Sequence, residues 1–312
     1  MKRNKKLKIF VTGAMGFIGQ HWCLKLLEEG HIVCGLDLKK KNKIFNKYKN
    51  FEFYKNTVFN YKLIKKLVDK NEVICHFAGI ANPKDYILEP ARVIEITASA
   101  SIKILEMIKN TKKKFIYTST SEIYGKSPKI PFEENDDRLL GSTSVKRWCY
   151  STSKALVEHY ILALNEKNKL RFNIFRLFNV YGPGLSGRVV TDFINLAKKD
   201  KDLVIFGNGN QTRSFLYVDD CMDAFYKVLI NKKCENQIFN VGTKKETTVK
   251  ELSKLILKLI RSKSKIKYRK ITSFKIKGYE DIDRRVPNNK KIKKFIKWSP
   301  KTNLKNGLIK TI

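Results

Sequence analysis

Tyr150 and Lys154 place a phenol and a primary amine four residues apart in the stretch Tyr150-Ser151-Thr152-Ser153-Lys154. On a helix that spacing puts both on one face, one turn apart. An ammonium held near a phenol favours the phenolate and lowers its pKa from about 10 toward neutrality. The result is a general base able to take a hydroxyl proton while hydride leaves the same carbon. In so lysine-rich a chain the pair gains its weight from two companions. Gly13-x-x-Gly16-x-x-Gly19 lies near the N-terminus, and Thr118-Ser119-Thr120-Ser121 lies between the glycines and the pair. Together they predict a nucleotide-dependent redox enzyme acting on an alcohol.

The glycines follow an apolar run and open a helical pattern. The first permits a tight turn, the next lets backbone approach a pyrophosphate, and the last allows close helix–sheet packing. The helix N-terminus attracts the phosphates. Asp37 stands 18 residues after Gly19, at the end of the second predicted strand. A carboxylate there bonds ribose hydroxyls and repels a 2′-phosphate, which favours NAD over NADP. Lys39, Lys40 and Lys41 follow closely and could accept a phosphate, which pulls the other way. Thr120 follows the fourth expected strand, at whose C-terminal end side chains face the ligand crevice. Its hydroxyl could bond the reacting oxygen, and Glu122 could act as a second acid or base.

The elements that must position these groups alternate. Strands are expected at 7–12, 32–37, 73–77, 114–119 and 171–177, and helices at 16–29, 61–69, 92–109 and 150–168. Strand–helix alternation predicts an α/β protein with a doubly wound parallel sheet. Beyond Asn179 the pattern loosens into turns at 181–187 and 206–210, a helix at 250–260, a basic segment and Trp298-Ser299-Pro300. The expected division is a nucleotide-binding domain at 1–178, with 213–241 returning to it. A smaller substrate-binding lobe takes 179–212 and 242–312.

The chain has 312 residues and is 42% hydrophobic, enough for a real core. No apolar run is long enough to span a membrane, and the basic start is read as the start of a fold rather than a signal. Six scattered cysteines without a Cys-x-x-Cys pair predict a reduced, cytoplasmic protein. Four histidines without ligand spacing predict no metal. A net charge of +36 admits a polyanion partner. The lysines run along the whole chain without a nucleic-acid motif, so the preferred reading is biased composition on solvated faces. Such a field still attracts anionic substrates.

These motifs come with others in order: His76-Phe77-Ala78-Gly79, Thr120-Ser121-Glu122-Ile123-Tyr124-Gly125, and 175–183 (Phe-Arg-Leu-Phe-Asn-Val-Tyr-Gly-Pro). After them come 207–215, Tyr217-Val218-Asp219-Asp220, Phe239-Asn240-Val241-Gly242 and Arg284-Arg285-Val286-Pro287. From Lys8 to Pro300 the chain resembles the extended short-chain dehydrogenase/reductase family, in particular its nucleotide-sugar epimerases, dehydratases and decarboxylases. The resemblance implies a Rossmann sheet with a smaller C-terminal lobe and NAD as cofactor. It also implies a nucleotide-sugar substrate, UDP-linked, and a homodimer through the helices at 92–109 and 150–168. Thr120 matches the residue on the reacting hydroxyl, Tyr150 the base, and Lys154 its partner and ribose ligand. NAD would meet Gly13, Gly16, Phe17, Ile18, Gly19, Asp37, Thr57, Val58, Phe77 and Ala78 as well as Tyr150 and Lys154. The sugar nucleotide would meet Ser121, Asn179, Arg188, Arg213 and Arg285. Arg176 is read as structural, and Asp219 and Asp220 as helix-start residues. Thr57, Thr97 and Asn288 depart from the family pattern at positions the resemblance ties to affinity rather than to chemistry.

The resemblance implies a shared first step, oxidation at the sugar's C4. Epimerisation, decarboxylation or dehydration can follow, and all three return the cofactor unchanged. Thr120-Ser121-Glu122 resembles decarboxylases and GDP-mannose-type dehydratases, while a Ser-Glu pair here also occurs in epimerase-like members. Arg147-Trp148 and the stretch 278–287 fit decarboxylases and uronate epimerases alike, while Gly187-Arg188-Val189-Val190 leans to epimerases. An arginine at 188 could clamp a C6 carboxylate away from the geometry of CO2 loss. The expectation is therefore a C4 epimerase of a UDP-hexose or UDP-uronate, with decarboxylation second. Dehydration is third, because Ser121 is a poor acid. A non-catalytic NAD- or RNA-binding protein is the alternative of another class, opposed by the intact Thr120, Tyr150 and Lys154.

Overall fold

The computed structural model describes residues 5–270, 282 and 284–312. Seven strands form one parallel sheet: β1 (Lys8–Thr12), β2 (Ile32–Asp37), β3 (Phe51–Lys55), β4 (Val73–His76), β5 (Lys114–Thr120), β6 (Arg171–Leu177) and β7 (Gln237–Val241). Their order is β7-β6-β5-β4-β1-β2-β3. The chain winds outward from β1 through β2 to β3, then restarts at β4 and winds the other way. The switch point between β1 and β4 opens a crevice at the C-terminal ends of the strands.

Five strands fall at the expected places. β3 and β7 are the two that the apolar pattern did not announce. Both are edge strands, and β3 (Phe-Glu-Phe-Tyr-Lys) carries charge on a half-exposed edge, so it lacks the apolar run of a central strand. β7 pairs with β6 from Gln237↔Asn173 to Val241↔Leu177.

Alternate strand residues feed two cores. Ile9, Val11, Cys75, Ile116 and Phe175 pack with Trp22 and Leu26 of helix α1 (Phe17–Glu28) and with Phe225 of a later helix (Val218–Ile230). Phe175 and Phe225 stack with ring centres 4.0 Å apart. Phe10, Ile74, Phe115 and Ile174 face the other way, against Leu67, Ile104 and Val157. Each such side chain, fully buried, contributes about 1.5–3 kcal/mol before entropy is counted.

The helix expected at 92–109 is not uniform. It runs as Pro90–Ile94, a π-helical turn Glu95–Ser99, and Ala100–Ile108. The π turn inserts one residue per turn and buries Thr97 and Ala98. The helix expected at 150–168 starts earlier, at Trp148–Asn168, and buries Tyr150, Ser153, Lys154, Val157 and Glu158. Past the sheet, Val249–Ile260 is opened by a capping box in which the Thr248 hydroxyl accepts from the Glu251 amide at 3.0 Å. Trp298 is buried and donates to the Asp220 carbonyl at 3.1 Å. Among the described residues no helix is long and apolar enough to cross a membrane, and no group of three or more His, Cys, Asp or Glu is placed to hold a metal. All six cysteines are free thiols.

Candidate active site

The C-terminal ends of β1, β4, β5 and β6 open onto a cavity of about 830 Å³. Its floor is the glycine turn. Gly13 has φ +68°, and a Cβ there would lie 2.7 Å from the Ala78 amide nitrogen. A Cβ on Gly19 would lie 1.9 Å from the Gly13 carbonyl oxygen. Only glycine fits either place. α1 begins after Gly16 with no side-chain cap, so its first amides are not taken by a capping side chain. A close backbone turn running into an uncapped helix N-terminus fits a dinucleotide pyrophosphate.

Gly13, Gly16, Phe17, Ile18, Gly19 and Phe77 line this cavity, as do Thr120, Ser121, Glu122, Tyr150, Lys154, Asn179, Arg188, Arg213 and Arg285. Asp37, Thr57, Val58 and Ala78 are not on its wall. The Asp37 carboxylate instead accepts from the Met15 and Lys39 amides, each at 2.9 Å, and so ties the glycine turn to the end of β2. Lys39 does line the cavity. His76 is buried and held far below the ordinary imidazole range, at about 3, by burial and then by Lys154. Its Nδ1 lies 2.7 Å from the Thr12 hydroxyl, which locks the ends of β1 and β4 together.

Thr120 ends β5, and its hydroxyl accepts from the Glu122 amide at 3.2 Å as the chain enters a 3₁₀ turn, Ser121–Tyr124. Tyr150, in the first turn of its helix, stacks on Tyr86 with ring centres 4.4 Å apart and planes at 8°. Burial pushes the Tyr150 phenol up to about 12, opposed by Arg188 and by hydrogen bonds with Thr120 and Tyr86. Lys154 donates to the Thr118 carbonyl at 2.7 Å, and its amine sits 4.5 Å from the Tyr117 ring centre and 6.0 Å from that of Tyr150. Burial pushes this amine down to about 7. The expectation of a phenol lowered by its lysine is thus corrected for the protein alone. Desolvation outweighs the neighbouring charge, and the cation that most lowers the phenol is Arg188.

Glu122 carries the second correction. Its carboxylate is buried and accepts from Arg147 Nη2 at 2.8 and 3.1 Å and from Arg285 Nη1. Burial raises its pKa, but Arg285 and Arg147 outweigh that and hold it at about 2. It is a fixed anion at neutral pH and not a proton donor. Arg188 donates to the Ala81 carbonyl. The side-chain nitrogen of Asn179 is buried without a partner among the described residues at a backbone φ of +38°, leaving a donor for a ligand. Arg213 is buried and donates to the Thr212 carbonyl at 2.8 Å.

Arg176 is structural, paired with Glu158 at 2.6 Å and bonded to the Tyr124 hydroxyl at 2.9 Å. Asp219 and Asp220 occupy the first turn of Val218–Ile230. Of the stretch 278–287, residues 278–281 and 283 lie outside the described residues. Two residues at the site were not singled out by sequence reasoning. Tyr86 rides on the short helix Pro83–Leu88, announced only by its Asn82-Pro83 start. Arg147 entered only as part of a motif, with nothing to say that it meets Glu122.

The family model described as NAD dependent epimerase/dehydratase family matches residues 9–242. The bifunctional polymyxin resistance protein ArnA of Wigglesworthia glossinidia brevipalpis is 36% identical over 338 residues, covering 100% of this chain and 52% of the relative. The chain therefore spans about half of that protein's length. The UDP-N-acetyl-alpha-D-glucosaminuronate decarboxylase of Bacillus cytotoxicus is 33% identical over 314 residues, 98% of this chain and 97% of the relative. The solved structure of a UDP-glucose 4-epimerase of Thermotoga maritima with UDP-glucose superposes with a TM-score of 0.86 at 29% identity, covering 98% of this chain and 97% of that one.

Proposed function

The chain belongs to the NAD-dependent epimerase/dehydratase family, and from that premise we propose that it decarboxylates a UDP-linked uronate through a 4-keto intermediate. NAD, when bound by the glycine turn, supplies the hydride acceptor and a cationic ring. Every other part of the chemistry rests on the chain's own side chains.

Tyr150 takes the C4 hydroxyl proton, with Thr120 hydrogen-bonded to its phenol. The Tyr150 phenol must ionise for this, and Arg188 and a protonated Lys154 both favour the phenolate. Loss of hydride then leaves a ketone at C4 and a carboxylate on the neighbouring C5. That is a β-keto acid. Its C5–C6 bond breaks when it stands perpendicular to the carbonyl plane, the electron pair passing to the C4 oxygen and CO2 leaving. A proton is then added at C5, and the C4 carbonyl is reduced again. The net reaction consumes one proton and releases CO2.

The observation that carries decarboxylation over epimerisation is the Glu122 carboxylate fixed between Arg147 and Arg285 on the wall it shares with Thr120 and Tyr150. A permanent anion there repels a substrate carboxylate. Both guanidinium groups spend donors on it, so they are less able to hold C6 in the carbonyl plane. Arg188, the sequence-level argument for epimerisation, spends a donor on Ala81. The full-length decarboxylase relative supports the same reading. Dehydration is disfavoured, because an ionised Glu122 and Ser121 offer no acid to a leaving hydroxyl. Asn179 and Arg213 suit a sugar diphosphate as donors on the wall.

Incubation with NAD and either UDP-glucuronate or UDP-N-acetylglucosaminuronate tests the proposal by mass spectrometry and proton NMR. Loss of CO2 is expected. A product of unchanged mass with altered C4 coupling would replace the proposal with epimerisation.

A further inference from the structure

We propose that a second cavity, at the opposite, N-terminal edge of the sheet, binds a small phosphorylated anion. The cavity measures about 760 Å³ and contains none of the residues of the nucleotide site. Parallel register sets Lys114 of β5 beside Arg171 of β6 on one side and Val73 of β4 on the other, so the first residues of three strands share one wall.

Lys114 stands at the centre of this wall. It is 5% exposed, and its amine makes no hydrogen bond or ion pair among the described residues. Burial disfavours its charge, and the neighbouring Glu235 offsets that only in part. The carboxylates of the cavity are already engaged. Glu72 accepts from Lys5 at 2.8 Å and from the Lys8 amide at 3.1 Å. Glu235 accepts from Arg171. Lys112 and Lys232, both exposed on the rim, add further positive charge. Among the described residues of the lining, cations outnumber carboxylates six to two. Leu229 and Val73 supply apolar wall that limits water and strengthens ion pairing inside. Three amines around a half-open pocket suit a compact, multiply charged oligophosphate better than a lone carboxylate.

Binding is coupled to a proton. Burial lowers the Lys114 amine to about 8, with Glu235 raising it, Arg171 lowering it, and the thiols Cys234 and Cys75 facing it. An anion beside it restores the charged form, so affinity falls as pH rises above about 8.

The test is calorimetric titration of the full chain with inorganic triphosphate at physiological salt. Lys114→Met and the rim double variant Lys112→Gln/Lys232→Gln should each weaken binding by about tenfold or more, a loss of about 1.4 kcal/mol. Circular dichroism melting confirms that each is folded, and the rim variant is exposed enough to leave the core untouched. Lys254→Gln/Lys258→Gln removes the same charge from the exposed face of Val249–Ile260 and should bind as the parent does. Undiminished affinity in the first two variants would overturn the proposal. So would an equal loss in all three, or binding of polyuridylate without binding of triphosphate.

Discussion

The two edges of the same parallel sheet carry opposite electrostatic designs. At the C-terminal edge the Glu122 anion is met by Arg147 and Arg285, and Lys154 is anchored on a carbonyl. At the N-terminal edge cations are in surplus among the described residues, and the buried Lys114 makes no hydrogen bond or ion pair among them. The first edge is organised in advance around an anion the protein supplies itself. The second is organised around an anion it does not supply. The contrast teaches that net charge alone says little about where ligands bind, because what matters is which buried charges are already satisfied.

The largest expected effect lies at the C-terminal edge. Tyr150→Phe should lower turnover by about 10³-fold while NAD still binds; steady-state rates with calorimetric NAD titration check both, and near-parental turnover would remove Tyr150 as the base. Glu122→Gln should follow, with CO2 release down about 100-fold and stability down by about 3–5 kcal/mol, because two buried guanidiniums lose their counter-charge. The sign with pH is fixed. Glu122 has a depressed folded pKa, so its contribution is full above the unfolded carboxyl value of about 4.3 and disappears as pH falls toward about 2. Acid melts should therefore show a shallower loss in the variant than in the parent.

Gly13→Ala tests the cradle rather than the charge. Its Cβ would sit 2.7 Å from the Ala78 nitrogen at a positive φ, so NAD affinity should fall about tenfold or more by fluorescence titration. Lys114→Met sharpens the other side. The folded Lys114 pKa of about 8 lies below the unfolded value of about 10.4. The unfolded state therefore binds more protons between those values, and stability should rise with pH across that window. The variant should melt higher than the parent at neutral pH and lack that rise.

The smallest effect concerns assembly. Ile94 and Leu156 are 43% and 49% exposed on the helices expected to pair two copies. Light scattering should give a dimer, and Leu156→Lys should shift it toward monomer.

The glycine turn, the five inner strands and Tyr150/Lys154 were legible because each leaves a local mark. A glycine is required where a Cβ cannot fit, a doubly buried strand must be continuously apolar, and a helix brings residues four apart onto one face. β3 and β7 were not legible, since edge strands need no such run. The place of Asp37 was only half legible: it ends β2 as expected, but its carboxylate is spent on the glycine turn.

The sequence by itself determined the family, the winding of the sheet and the residue types of the reacting group, all of which follow from spacing within one element or across one turn. Only the tertiary structure decided the ionisation of those groups and their partners. Arg147 and Arg285 are 138 residues apart and meet on one carboxylate. Tyr86 stacks on Tyr150 across 64 residues. Lys114 is one lysine among many until the sheet buries it. Desolvation and long-range pairing have no period along the chain, so they appear only once the chain is folded.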